Sequence, residues 1–334
     1  MKMDLPTLDF SKYLRGTPSE KQQLGEALIK SFVKHGFVKL INHGIPEDIV
    51  RQYQASTKEL FDLSLEAKRE FENEKGPKPQ RGWSSKGAEV TAKLRKKNIP
   101  VGSNGDELKD EREFFDAGPP SDKEFINKWP KAHLPDFQRT MEGCYKRLQA
   151  ASLQILNAME VGLKMPKDSL TERCNPSASE IRLNHYPEVD MKLLSEGKVK
   201  RTHAHTDFGI ITLLFQDNVG GLELEDRSRP DTFVPVEPQR PDEPSALVVN
   251  ISDTFERWSN GTIRAGVHRV DVPPSMKGLA NGLCPPRYSS VFFFKAARET
   301  SVGPLPSFVT PDRPSIYKEM TALEYQRLKT EVLY

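Results

Sequence analysis

Cysteine is scarce in this 334-residue chain. Cys144, Cys174 and Cys284 are odd in number and far apart, which excludes a disulfide framework and a zinc knuckle. An excess of one charge is also missing. The 49 Lys+Arg against 47 Asp+Glu give a formal net charge of +2, whereas affinity for phosphate backbones needs a marked basic surplus, so no nucleic-acid partner is expected. No apolar run approaches the roughly 18 residues of a membrane span, and the opening MKMDLPTLDF lacks the apolar centre of a secretion signal. Hydrophobic residues make up 36% and are spread throughout, which excludes a disordered chain and suffices for one sizeable core. The expectation is a soluble, reduced, cytoplasmic protein with no membrane partner. Its seven histidines are few enough to take singly.

What is present changes character along the chain. Residues 5–10 read as a short strand. Residues 21–35 place apolar groups at helical spacing, and Gly36 suits the left-handed position after a helix. Residues 37–41 alternate as a strand, and 47–72 resume a helical period. Residues 73–112 are rich in Lys, Gly and Pro and poor in large apolar groups, which predicts a long surface loop or lid. Within it Lys93, Arg95, Lys96 and Lys97 read as a solvated face. The longest helix is expected over 136–163. From about residue 180 short β-rich runs follow one another, IRLNHYP, ITLLFQ, GLELED, FVPVEP, ALVVNI, RAGVHRVDV and RYSSVFFF, separated by turn residues as in an antiparallel sandwich or jelly roll. Residues 314–334 look helical. The expected fold is mainly β with flanking helices: a jelly-roll core with an α-rich N-terminal region. Residues 1–135 would form that region with its lid loop. Residues 136–334 would supply the support helix, the β core and the C-terminal helix, the whole making one catalytic unit.

Three histidines stand out. His203-Ala204-His205-Thr206-Asp207 sets an imidazole and a carboxylate two residues apart, on one face if the segment is extended. His268 lies in a second strand pattern, Val267-His268-Arg269-Val270, which a sandwich can bring beside the first. Two imidazoles and one carboxylate make the facial triad of non-haem iron(II) oxygenases, with three coordination positions open. His203 competes as a ligand; its longer spacing to Asp207 favours His205. His35, His43 and His133 read as structural or exposed, and His185 stays open. Arg287 and Ser289 share a strand face with Val291 and Phe293 by the period of two, and a guanidinium beside a hydroxyl suits a carboxylate. Gly82 and Gly87 have P-loop spacing but Ala88 follows where Lys is required. Asn250 and Asn260 match glycosylation acceptors, without a secretion signal to make them relevant.

With these motifs in hand, the chain resembles the iron(II)/2-oxoglutarate-dependent dioxygenases of the isopenicillin N synthase-like family. The resemblance spans nearly the whole chain. Residues 5–10 and 36–46 look like the family's N-terminal signature, and Asn184-His185-Tyr186-Pro187 like its strand before the metal site. His205-Thr206-Asp207-Phe208-Gly209, Trp258-Ser259-Asn260-Gly261, Val267-His268-Arg269-Val270 and Pro286-Arg287-Tyr288-Ser289 match the core motifs in order. Two departures are Ser252-Asp253, where a Gly-Asp turn is usual, and an insert at 273–285 similar to fungal members of the thymine 7-hydroxylase and polyketide-tailoring types. The resemblance implies a double-stranded β-helix in which His205, Asp207 and His268 hold iron(II). It assigns Arg287 and Ser289 to the distal carboxylate of 2-oxoglutarate, with Asn184 and Tyr186 as further contacts and O2 as second co-substrate.

The implied reaction oxidises a C–H bond of a small organic molecule, by hydroxylation or a ferryl-driven rearrangement such as ring expansion, in fungal-type natural-product biosynthesis. A nucleobase methyl hydroxylase, or an iron oxidase of the same fold that does not use 2-oxoglutarate, are the alternatives. For the substrate, Arg182 shares the Asn184 face and suggests an aromatic or anionic molecule unless it pairs with an internal carboxylate. Phe293 is expected as a pocket wall or a core residue, and Trp83 as an exposed lid residue.

Overall fold

The computed structural model describes residues 5–99, 101, 105, 108–238, 240 and 243–334. Its strands, in chain order, are β1 (Thr7–Asp9), β2 (Phe37–Ile41), β3 (Gly82–Ser84), β4 (Glu113–Ala117), β5 (Glu180–Tyr186), β6 (Val189–Asp190) and β7 (Thr202–His205), then β8 (Ile211–Gln216), β9 (Leu222–Glu225), β10 (Phe233–Pro235), β11 (Leu247–Ile251), β12 (His268–Val270), β13 (Leu283–Cys284) and β14 (Arg287–Phe294). They form an eight-stranded sheet, β1-β2-β11-β8-β14-β5-β4-β3, a four-stranded sheet, β10-β9-β12-β7, and the small pair β13-β6. Pairing is antiparallel except between β1 and β2. The two larger sheets enclose a cavity to which both contribute side chains. This is the expected jelly-roll core.

The alternation on β14 shows why. Arg287, Ser289, Val291 and Phe293 face the cavity. The intervening residues face the helices: Ser290 Oγ lies 2.8 Å from Thr57 Oγ1, and Phe292 meets the Tyr145 ring edge-on. A period of two therefore gives one face to chemistry and the other to packing. Helices Pro18–His35, Glu47–Phe61 and Phe137–Gly162 supply that packing, and Tyr53 Oη donates to the Val291 carbonyl at 3.0 Å. The first and third touch backbone to backbone, since a Cβ on Gly162 would lie 2.2 Å from the Gly25 carbonyl oxygen. Gly36, at φ 77°, ends the first helix and its N–H donates to Phe32, which turns the chain directly into β2. Among the described residues no helix is long and apolar enough to cross a membrane.

Three expectations need correction. The helical stretch 47–72 is two helices, because Ser64 caps a new one, Leu65–Arg69, by accepting from the Ala67 N–H. The C-terminal helix is confined to Ala322–Leu333 by a capping box between Thr321 and Glu324. The segment 73–112 is not a surface loop. It contributes β3 to the large sheet, and Gln80, Arg81, Trp83, Ser84, Glu89, Val90, Thr91, Asp110 and Arg112 are all buried. Its buried Arg81, Glu89 and Arg112 are held by ion pairs. Residues 100, 102–104 and 106–107 of that segment lie outside the described residues. Of the basic run inside it, Lys96 and Lys97 are exposed, while Arg95 pairs with Glu225 at 3.3 Å.

Candidate active site

Strands β7 and β12 run side by side with His205 opposite His268. Asp207 follows two residues after the end of β7, and each imidazole Nε2 lies 3.9 Å from its Oδ1. One donor atom from each of the three residues falls within 4.8 Å of the others. The groups behind them fix which atoms face the centre. His205 Nδ1 lies 2.8 Å from the His203 carbonyl and His268 Nδ1 3.1 Å from that of Gly266. A carbonyl only accepts, so both Nδ1 atoms carry the proton and both Nε2 lone pairs point inward. Asp207 Oδ2 accepts from Thr212 Oγ1 at 2.7 Å and from Asn250 Nδ2 at 2.8 Å, which leaves Oδ1 for the centre.

The ionisation of His205 and Asp207 agrees with this. Burial, reinforced by the neighbouring His268, lowers His205 to about 3, so it is neutral. Burial alone would raise Asp207, but the His268 and His205 rings, which attract it when protonated, and the hydrogen bonds from Asn250 and Thr212 outweigh it and hold the carboxyl below its ordinary value. Neutral imidazole and ionised carboxylate are the ligand states of a divalent transition metal, and a set of two imidazoles with one carboxylate suits iron(II).

On one side of the trio the cavity is lined by Asn184, Tyr186, Thr202, Arg287, Ser289 and Val291, among others. Arg287 is 1% exposed. Its Nη2 donates to Gln216 Oε1 at 3.1 Å, but Nε and Nη1 have no partner. Asn184 Nδ2 reaches Ser289 Oγ at 3.3 Å, and the Tyr186 ring lies beneath the guanidinium at 5.0 Å. A buried guanidinium with idle donors is costly, and a carboxylate is the group that satisfies it.

On the other side Glu89, Arg182, Glu180, Lys295, Gln326 and Leu333 are among the lining residues. Arg182 makes two forks, to Asp116 at 2.8 and 2.8 Å and to Glu89 at 2.8 and 2.9 Å. This resolves its two readings in favour of internal carboxylates, and an Arg182-held anion is set aside. Phe293 is half-buried and lines both cavities, next to the Arg182 guanidinium at 5.6 Å. Trp83 is not a lid residue: it is 2% exposed, and its indole N–H donates to Glu113 at 2.7 Å. His203 turns to Asp110 at 3.3 Å and stays outside the trio. His185 pairs with Glu113 at 2.8 Å and stacks on Tyr288. None of residues 273–285 lines either cavity, because that insert pairs with β6 through β13. Ser252 stands at the start of the helix Asp253–Trp258, and the Asp253 N–H holds the Asp207 carbonyl at 2.8 Å. Asn250 and Asn260 are 3% and 0% exposed, so neither is a glycan acceptor in the folded chain. Glu89, Asp116, Arg112, Thr212 and Gln216 escaped sequence reasoning. For Asn250 the signal was present, a lone amide in the apolar strand LVVNI.

The comparisons agree with this geometry. Residues 5–132 match the family described as non-haem dioxygenase in morphine synthesis N-terminal, and residues 178–296 match the 2OG-Fe(II) oxygenase superfamily. The chain belongs to the 2-oxoglutarate- and iron(II)-dependent oxygenases and is a 2-oxoglutarate-dependent dioxygenase with iron(II) as cofactor. Among its relatives, the 2-oxoglutarate-dependent dioxygenase ecdK of Aspergillus rugulosus is 45% identical over 99% of this chain and 100% of its own length. Another, imqE of Aspergillus flavus, is 41% identical over 99% of this chain and 94% of its own. Full-length Neurospora crassa T7H, in complex with alpha-KG and thymine, superposes with a TM-score of 0.85 at 26% identity, covering 99% of this chain and 98% of that one.

Proposed function

We propose that His205 Nε2, Asp207 Oδ1 and His268 Nε2 hold the iron(II), and that Arg287 and Ser289, with Asn184 and Tyr186 beside them, hold the distal carboxylate of 2-oxoglutarate. The observation that carries this reading is the buried trio of converging donor atoms opening onto the same cavity as a buried Arg287 with two unpartnered nitrogens. What the bound metal supplies is oxygen activation coupled to conversion of 2-oxoglutarate to succinate and carbon dioxide. The chain supplies position. The carbonyls of His203 and Gly266 keep the imidazoles aimed, Thr212 and Asn250 keep Asp207 rotated, and Arg287 fixes the far end of the co-substrate. The apolar Val291 and Phe293 walls limit water at the reacting end.

The primary substrate would enter the cavity on the Glu89 side. Arg182 and Lys295 are both committed to carboxylates there, and the uncharged Gln80, Thr91, Gln326 and Thr330 of the lining are hydrogen-bonded within the chain. A lining whose charges are already paired supports a neutral small molecule, of the natural-product kind that fungal relatives suggest. A lactam-like heterocycle fits the same lining, and the likeness to T7H with thymine favours it as a second reading.

The test is succinate release and oxygen uptake with iron(II), 2-oxoglutarate and a panel of neutral and anionic small molecules. His205→Ala is expected to fold and to lose at least about 100-fold in succinate formation. Unchanged turnover in that variant would remove His205 from the metal site, and a strong preference for carboxylate substrates would remove the neutral-substrate reading.

A further inference from the structure

Arg201 immediately precedes β7 and is 0% exposed. Its Nη2 donates to the carbonyl of Pro285, two residues before Arg287, and its neighbour Thr202 reaches the Tyr186 hydroxyl at 3.5 Å. Arg201 Nε and Nη1 have no partner, the same condition as in Arg287. The carboxylate of Asp217 is near this cluster, but its oxygens accept from the N–H groups of Val219 and Tyr288. Arg257 is also held by backbone carbonyls, those of Val302 and Lys318, but the buried arginines around the second cavity differ. Arg81 faces Glu180 and Asp122, Arg112 faces Glu89 and Asp110, and Arg182 faces Glu89 and Asp116. Arg201 and Arg287 have only carbonyl or amide oxygens. A guanidinium keeps its proton in a protein, so two positive charges without an ion-pair partner sit near one strand end, with Asp217 as a neighbouring counter-charge. Burial and the charge of Arg287 both press on Arg201 in the direction of a weaker base.

We propose that Arg201 is the second cation of the co-substrate subsite, a positioning residue behind Arg287 that makes this end of the barrel select the dianion of a 2-oxo dicarboxylic acid over a 2-oxo monocarboxylic acid. The proposal rests on the assignment of Arg287 to the distal carboxylate. Arg201 anchors the strand entry through Pro285 and adds its field to that of Arg287, so a second carboxylate on the ligand gains where a methyl group does not. The protein before binding bears the cost of the unpaired charge, and the bound dianion relieves it.

The experiment uses the full chain as Arg201→Met, Arg201→Lys and Arg287→Met. Binding of 2-oxoglutarate and of pyruvate is titrated in anoxic iron(II), and melting temperature is measured without either ligand. For Arg201→Met the 2-oxoglutarate Kd is expected to rise about tenfold, the pyruvate Kd to stay level, and the ligand-free melting temperature not to fall. Arg201→Lys, which keeps the charge, is expected to stay within about threefold of the native 2-oxoglutarate Kd. Native 2-oxoglutarate affinity in Arg201→Met, or an equal loss for both acids, overturns the proposal. If Arg201→Met does not fold, a folded Arg201→Lys that no longer prefers 2-oxoglutarate overturns it instead. Arg287→Met is expected to lose 2-oxoglutarate binding. If it binds normally, the assignment of Arg287 itself fails, whatever Arg201 does.

Discussion

The two sides of the His-Asp-His trio manage buried charge in opposite ways. Arg287, whose cavity Arg112 and Arg182 also line, and Arg201 are buried with guanidinium nitrogens that have no partner. On the Arg182 side the arginines are matched by Glu89, Asp110, Asp116, Glu180 and Asp122, joined by forks and bridges. Burial would raise Glu89, yet the charges of Arg182 and Arg112 hold it below the ordinary carboxylate value. Asp116, which has Arg182 but also Glu180 and Glu89 nearby, is left raised by its burial. A site whose charge is left open awaits a charged ligand. A site whose charge is closed has finished with charge and discriminates by shape and neutral hydrogen bonds. The same residue type, buried arginine, thus does recognition on one side and scaffolding on the other.

The comparison breaks most visibly at Glu89. Glu89→Gln would leave Arg112 with Asp110 at 3.3 Å and Arg182 with Asp116 alone, so two buried cations lose the carboxylate they share. The expected loss of folding stability is about 3 to 5 kcal/mol, read from the urea unfolding midpoint. Arg287→Met, measured the same way, should cost nothing. If the two variants lose equal stability, the division between an open and a closed side is wrong.

Much of this division lay outside what local pattern reveals. The strands β8, β11 and β14, the His205–Asp207 spacing and the Arg287–Ser289 pair depend on a period of two and on residue chemistry within a few positions, and so were legible. Glu89 and Arg182 are 93 residues apart, and nothing near Glu89 marks it as buried. The polar segment around it looked solvated because its satisfaction comes from distant arginines. Trp83 misled for the same reason: an aromatic among polar residues suggested a lid, whereas its indole bonds Glu113, itself paired with Lys68, and its neighbour Arg81 pairs inward with Glu180. Arg201 gave no signal at all, being one more basic residue in Lys198–Val199–Lys200–Arg201.

A pH series sharpens the same contrast. Lys295 and Arg81 pull the Glu180 carboxyl down to about 2 against the opposing effect of burial, from an ordinary value of 4.5. A carboxyl depressed in the folded state contributes stability that is complete above 4.5 and fades as pH falls toward 2, by about 3 kcal/mol in all. Glu180→Gln should therefore be less stable than the native protein at pH 7, with the gap narrowing as the pH falls below 4.5. A gap that stays constant down to pH 3 would show that Glu180 is not held by its cations. Arg201→Met should show no such acid dependence, because no carboxylate pairs with it.

The smallest effect is expected at Tyr334, whose hydroxyl donates to Glu89 Oε1 at 3.1 Å. Glu89 already accepts from Arg112 at 2.6 Å and from Arg182 at 2.8 and 2.9 Å, so removing the phenol leaves its charge compensated. The chain end keeps its place by another route, since the Val90 N–H donates to the Leu333 carbonyl at 3.1 Å. Tyr334→Phe should then cost about 1 kcal/mol of stability, the net worth of one ordinary hydrogen bond, and leave the 2-oxoglutarate Kd unchanged. Leu333 lines the substrate cavity, so any kinetic effect should fall on the KM of the primary substrate. A loss as large as that of Glu89→Gln would mean that the arginines do not close the charge of Glu89 by themselves and that the phenol is a necessary member of the network.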